Sequence, residues 1–146
     1  MARLAGGARF SVVARTLAIV ATLLAAAVPS ASAAPSGKTG FAFGRDGGNI
    51  QPFAVVISVH GKVYTTGPVE AHRRTLTRLQ LAELNRLAVT TGFTHLIPRT
   101  NCPGTLPDVA ATYIRVGARV VHVHGNCVVP YKKLWSALQR AAQVQF

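Results

Sequence analysis

Polar and apolar positions change period several times along the chain, and each change marks an element. From Phe53 the run FAVVISV is rich in β-branched and aromatic residues, His60-Gly61 interrupts it, and KVYTT follows before Gly67-Pro68. That order predicts a β-hairpin, because such side chains suit a pleated, half-buried surface and glycine suits the turn. A helix is predicted next. Thr77 and Gln80 form a capping-box pattern, Leu76 and Leu81 hold the staple positions around it, and Leu81, Leu84, Leu87 and Ala88 recur at three and four. Gly92 sits where a left-handed residue ends a helix, so the helix runs from Arg78 to Thr91, with its leucines as core and Arg78, Glu83 and Arg86 as its solvated face.

Phe93, Leu96 and Ile97 continue apolar before PRTNCPGTLPD, whose three prolines and glycine predict an ordered loop without regular structure, held by Cys102. Ala111 to Val116 then reads as a strand, Gly117-Ala118 as a two-residue turn, and Arg119 to His124 as the returning strand. The turn sets the register. Val116 faces Arg119, Ile114 faces Val121, Thr112 faces Val123, Tyr113 faces His122 and Ala111 faces His124. Ile114, Val121 and Val123 therefore point inward, and Tyr113, Arg115, His122 and His124 outward. Pro130 is placed to start a terminal helix with Leu134, Trp135, Leu138 and Ala142 as its apolar stripe. The order ββαββα implies an α+β domain: a four-stranded, mostly antiparallel sheet with two helices covering one face.

The first residues follow a different logic. Arg3, Arg9 and Arg15 precede a thirteen-residue apolar run from Thr16 to Val28, then Pro29 and the triplet Ala31-Ser32-Ala33. These are the parts of a secretory signal peptide over 1–33, cleaved after Ala33. As a helix the run rises about 20 Å, short of a roughly 30 Å hydrocarbon core, which disfavours an uncleaved anchor. No cysteine near the cleavage site invites lipid attachment, and no second long apolar segment follows, so no transmembrane segment is expected after cleavage. Residues 34–50 carry Gly37, Gly40, Gly44, Gly47 and Gly48 and are expected to form a flexible lead-in. A single α+β domain is expected over 51–146.

Export changes the meaning of the two cysteines. Cys102 and Cys127 enter a compartment where disulfides persist, and their spacing is not the close C-x-x-C of redox pairs, so one bridge is expected. Charge narrows the partners. Removing residues 1–33 with their three arginines takes sixteen Lys and Arg to thirteen, against the four acids Asp46, Glu70, Glu83 and Asp108, a formal +9. That excess favours anionic partners such as an envelope polymer or a secreted acidic protein. Arginine outnumbering lysine and abundant alanine also fit a GC-rich coding bias. Apart from Arg73-Arg74 and Lys132-Lys133 the cations are scattered, with no interleaved aromatics for stacking bases, so no specific nucleic-acid site is expected.

The hairpin ending near a glycine, the leucine-rich helix, the F-x-x-L segment from Phe93 to Leu96 and the second hairpin together resemble the layout of small exported bacterial proteins of unknown function. The resemblance spans most of the mature chain. It implies no active site.

Candidate chemistry is sparse. His122 and His124, two apart on one strand, share a face with Tyr113 as cross-strand neighbour, a geometry that can chelate a metal if His60, His95 or Asp108 comes near. Alternating V-H-V-H is equally the pattern of a half-exposed strand. Ser36, Ser58 and Ser136 lie in no nucleophile elbow, and four scattered carboxylates make paired-acid catalysis improbable. Asp108, after Pro107, is the one loop acid worth inspecting as a base; its commoner role is to bond its own turn. No catalytic residue, metal site or cofactor is assigned. The expected function is a small secreted noncatalytic binding or inhibitory module acting on an anionic envelope or extracellular partner, with Tyr113, Arg115, His122 and His124 as candidate binding face. The alternative is a small metal-binding protein or enzyme using the His122/His124 strand face.

Overall fold

The computed structural model describes residues 39–145. The expected signal peptide and the start of the lead-in lie outside the described residues. The elements run in the order β1 (Thr39–Asp46), β2 (Phe53–Ser58), β3 (Val63–Thr66), β4 (Glu70–Ala71), α1 (Arg78–Thr90), β5 (Arg99–Asn101), β6 (Ala111–Val116), β7 (Arg119–His124), α2 (Val129–Ala142) and β8 (Val144–Gln145). The fold is α+β. A six-stranded sheet is ordered β3-β2-β1-β6-β7-β5, and β4 with β8 makes a two-stranded one. All pairs are antiparallel except β5 with β7.

The local signals act as written. The Thr77 hydroxyl accepts from the Gln80 amide at 3.2 Å and the Gln80 side chain accepts from the Thr77 amide at 2.9 Å, closing the capping box of α1. Gly92 follows with φ of 67°. The β6–β7 register places Tyr113 opposite His122, Ile114 opposite Val121 and Val116 opposite Arg119.

The expectation of four strands over 51–146 needs correction at three places. The first is β1, which lies within the expected lead-in and is the middle of the sheet, joining β2 on one side to β6 on the other. Phe41 and Phe43 carry it: they are 1% and 0% exposed, and they stand in register with Ile57 and Val116, and with Val55 and Ile114. Glycine content over 34–50 masks this two-residue alternation. Gly44 is itself a packing requirement, because a Cβ there would run into the Phe53 backbone and lie 3.0 Å from the Tyr113 ring.

The second correction is β5, inside the segment expected to be irregular. Pro98 and Pro103 bracket four residues free to pair, the first three of which form β5, and as an edge strand β5 needs partners on one side only. The His122 amide donates to the Pro98 carbonyl and the Cys102 amide to the His124 carbonyl, both at 2.8 Å. The third is the β4–β8 pair, too short to leave a periodic signal.

One buried cluster joins Phe41, Phe43, Val55, Ile57, Ile114 and Val121 of the sheet to Leu84 and Ala88 of α1 and Leu134 and Leu138 of α2. Alternation along the strands thus turns one sheet face toward both helices. Trp135 packs edge-on against Phe43 at 5.4 Å and stacks on Tyr131 at 6.1 Å, while staying partly exposed. The expected bridge is present: Cys102 and Cys127 are joined, with Cα atoms 5.5 Å apart. No described helix is long and apolar enough to cross a membrane.

Candidate functional site

The sheet face turned away from the cluster carries no helix among the described residues. Strand period and register decide what stands on it. Residue 113 pairs with Gly44 on one side and His122 on the other, and His122 pairs with Arg99, so Gly44, Tyr113, His122 and Arg99 form one row across β1, β6, β7 and β5. Arg115 and His124 lie two residues along their strands and so share the face. The Tyr113 ring covers Gly44 and lies 5.8 Å from the His122 ring. Burial raises the Tyr113 pKa above its ordinary value, and the nearby Asp46 charge adds to this, so the phenol stays a neutral hydrogen-bonding group.

At one end of this face lies a hollow of about 460 Å³, lined by Asp46, Arg99, Asn101, His122 and His124 together with loop residues. Each reaches it for a reason. His122 and His124 come from the period of β7, Arg99 and Asn101 from the parallel register of β5, and Asp46 from the last position of β1. The 47–52 and 102–110 loops wall it. They meet where the Asn49 amide donates to the Asp108 carbonyl at 3.3 Å, and where Gly48, at φ of 70°, leaves no room for a Cβ against Asp108 and Ala110. The disulfide anchors the start of the second loop beside the end of β7.

A guanidinium, a carboxamide and two imidazoles in one concavity make an anion-accepting surface. The single acid there, Asp46, lies 3.7 Å from His122 Nδ1. His124 Nε2 is covered and has no hydrogen-bond partner among the described residues. Such an atom costs about 1–3 kcal/mol, a penalty that a water or ligand group reaching it relieves.

All four residues of the expected face stand on it, but only His122 and His124 line the hollow; Tyr113 is one strand inward and Arg115 further along β6. Asp108 is exposed and contributes its carbonyl to the loop contact. His60, in a turn, and His95, at the end of a short 3-10 helix over Phe93–His95, are exposed elsewhere, and among the described residues no three His, Cys, Asp or Glu side chains gather to hold a metal. Arg99, Asn101 and Asp46 were not legible as site residues, because β5 and β1 were not legible as strands. The i, i+2 spacing of Arg99 and Asn101 is the signal that β5 makes meaningful. In comparison with known proteins, the chain matches no family model, no curated protein and no solved structure.

Proposed function

We propose that this chain is an exported, noncatalytic binding or inhibitory module that takes an anionic cell-envelope or extracellular partner on the uncovered sheet face. The observation that carries the reading is the gathering of Arg99, Asn101, His122 and His124 around one hollow, with Arg115 on the same face and Asp46 as the only acid among the lining residues. The formal +9 of residues 34–146 draws anionic partners toward it, and the rigid sheet holds the donors in place before binding. The disulfide suits an oxidising compartment.

The test is capture from cell envelope and culture medium at low and high salt, with the Arg99→Gln/Arg115→Gln double variant in parallel and Arg73→Gln/Arg74→Gln as a control away from the face. Exposed charges farther apart than about 8 Å are largely screened at physiological ionic strength, so capture weakens with salt. The sheet-face variant should lose about tenfold in affinity, roughly 1.4 kcal/mol. The control should lose less. Salt-insensitive capture, or equal loss in both variants, contradicts the proposal.

A further inference from the structure

We propose a second site, independent of the sheet-face reading: the hollow between β6, the 125–128 loop and α2 binds one pyranose ring bearing an acidic group. It lies on the helix side of the sheet, holds about 160 Å³ and is lined by Thr112, Asn126, Tyr131, Lys132, Trp135 and Ser136 among others. A cavity of about 150 Å³ takes a single six-membered ring, which sets the size of the ligand.

The chemistry of the wall and rim selects the ring. Trp135 and Tyr131 stack nearly parallel, 18° apart, on successive turns of α2, and Phe43 and Phe53 brace the indole edge-on at 5.4 and 6.4 Å. The indole is therefore fixed from the protein side yet partly exposed to the hollow. A flat, rigid aromatic surface stacks against the C–H face of a sugar at little entropic cost.

Around it stand an amide at Asn126, an ammonium at Lys132 and a hydroxyl at Ser136, none of which makes a side-chain hydrogen bond or ion pair among the described residues. A purely apolar ring would displace their water and leave them unanswered, whereas ring hydroxyls replace those bonds. No acid lines the hollow, so Lys132 favours a carboxylate on the ring. The floor is already satisfied: the Tyr131 hydroxyl donates to Thr112 Oγ1 at 3.0 Å, and the Thr112 hydroxyl donates to the Val123 carbonyl at 3.2 Å. Cys127, in the loop that carries Asn126, is tied by the disulfide to Cys102.

Trp135 is the only tryptophan in the sequence, so the protein's indole fluorescence reports this hollow alone. The full chain is titrated with glucuronate, glucose and benzoate, the last standing for a planar anion without ring hydroxyls. Glucuronate should give a saturable emission change at millimolar concentration, about threefold to fivefold tighter than glucose, the scale of one exposed ion pair. Lys132→Gln should remove that preference while leaving glucose binding in place. Asn126→Ala/Ser136→Ala should weaken both sugars at least about fivefold, with an unchanged thermal midpoint showing that the domain remains folded. No saturable change with either sugar, benzoate binding in preference to both, or an undiminished glucuronate preference in Lys132→Gln overturns the proposal. Loss of sheet-face capture in Arg99→Gln/Arg115→Gln does not bear on it.

Discussion

Tyr131 is 3% exposed, and its phenol sits between the apolar cluster and Thr112. Burial is the largest influence on it and holds its pKa well above the ordinary value, with the Thr112 bond opposing in part. In the unfolded chain a tyrosine ionises near pH 10, so above about pH 10 unfolding releases a proton that the folded state retains. Stability therefore falls as pH rises beyond that point, and Tyr113, raised for the same reason, adds to the slope. Denaturant unfolding at pH 8 and pH 11 should show this loss, and Tyr131→Phe should shrink it while costing about 1 kcal/mol at pH 8 for the missing hydrogen bond. An unchanged loss in Tyr131→Phe would assign the alkaline weakness elsewhere. Glu83 shows the contrast: its hydrogen bonds to Arg86 lower its pKa, but the pair is fully solvated and adds little.

Among elements, β1 decides the architecture, because without it the β2–β3 and β6–β7 hairpins have no shared neighbour. Phe43 is fully buried and meets both flanking strands and Trp135. Phe43→Ala should cost about 3–5 kcal/mol, and Trp135→Ala, with part of its ring already in water, about 3. Equal midpoints for wild type and Phe43→Ala in chemical denaturation would contradict the central place given to β1. Linking residues 25 apart, the Cys102–Cys127 bridge should contribute about 3 kcal/mol by restricting the unfolded chain. Comparing wild type with Cys102→Ser/Cys127→Ser measures it; no change would mean that the backbone bonds of β5 hold the loop unaided. Legibility in the sequence followed how locally each signal is written. The box at Thr77 and Gln80 and the turn at Gly117 act within a few residues, and they placed α1 and the β6–β7 register. What makes β1 a strand is the fit of Phe41 and Phe43 between distant partners and of Gly44 under Tyr113, which no window over 34–50 contains. The parallel pairing of β5 is equally nonlocal, and Arg99 and Asn101 remained unseen with it.

At the scale of the whole molecule, both helices lie over one sheet face, and the other displays basic and imidazole side chains at the end where the disulfide-anchored loop closes. Scattered cations in the sequence become a directional surface because pleat and register sort Arg99, Arg115, His122 and His124 to the same side. Net charge governs encounter, and this local grouping governs where the partner sits. The most direct measurement follows backbone amide resonances of isotope-labelled protein while polyphosphate, an anionic polymer without sugar rings, is added at low salt. The account predicts shifts concentrated on β5, the outward residues of β6 and β7 and the 47–49 loop, fading as salt rises. Shifts spread evenly over Arg73, Arg74, Lys132 and Lys133, with the sheet face unmoved, would contradict it.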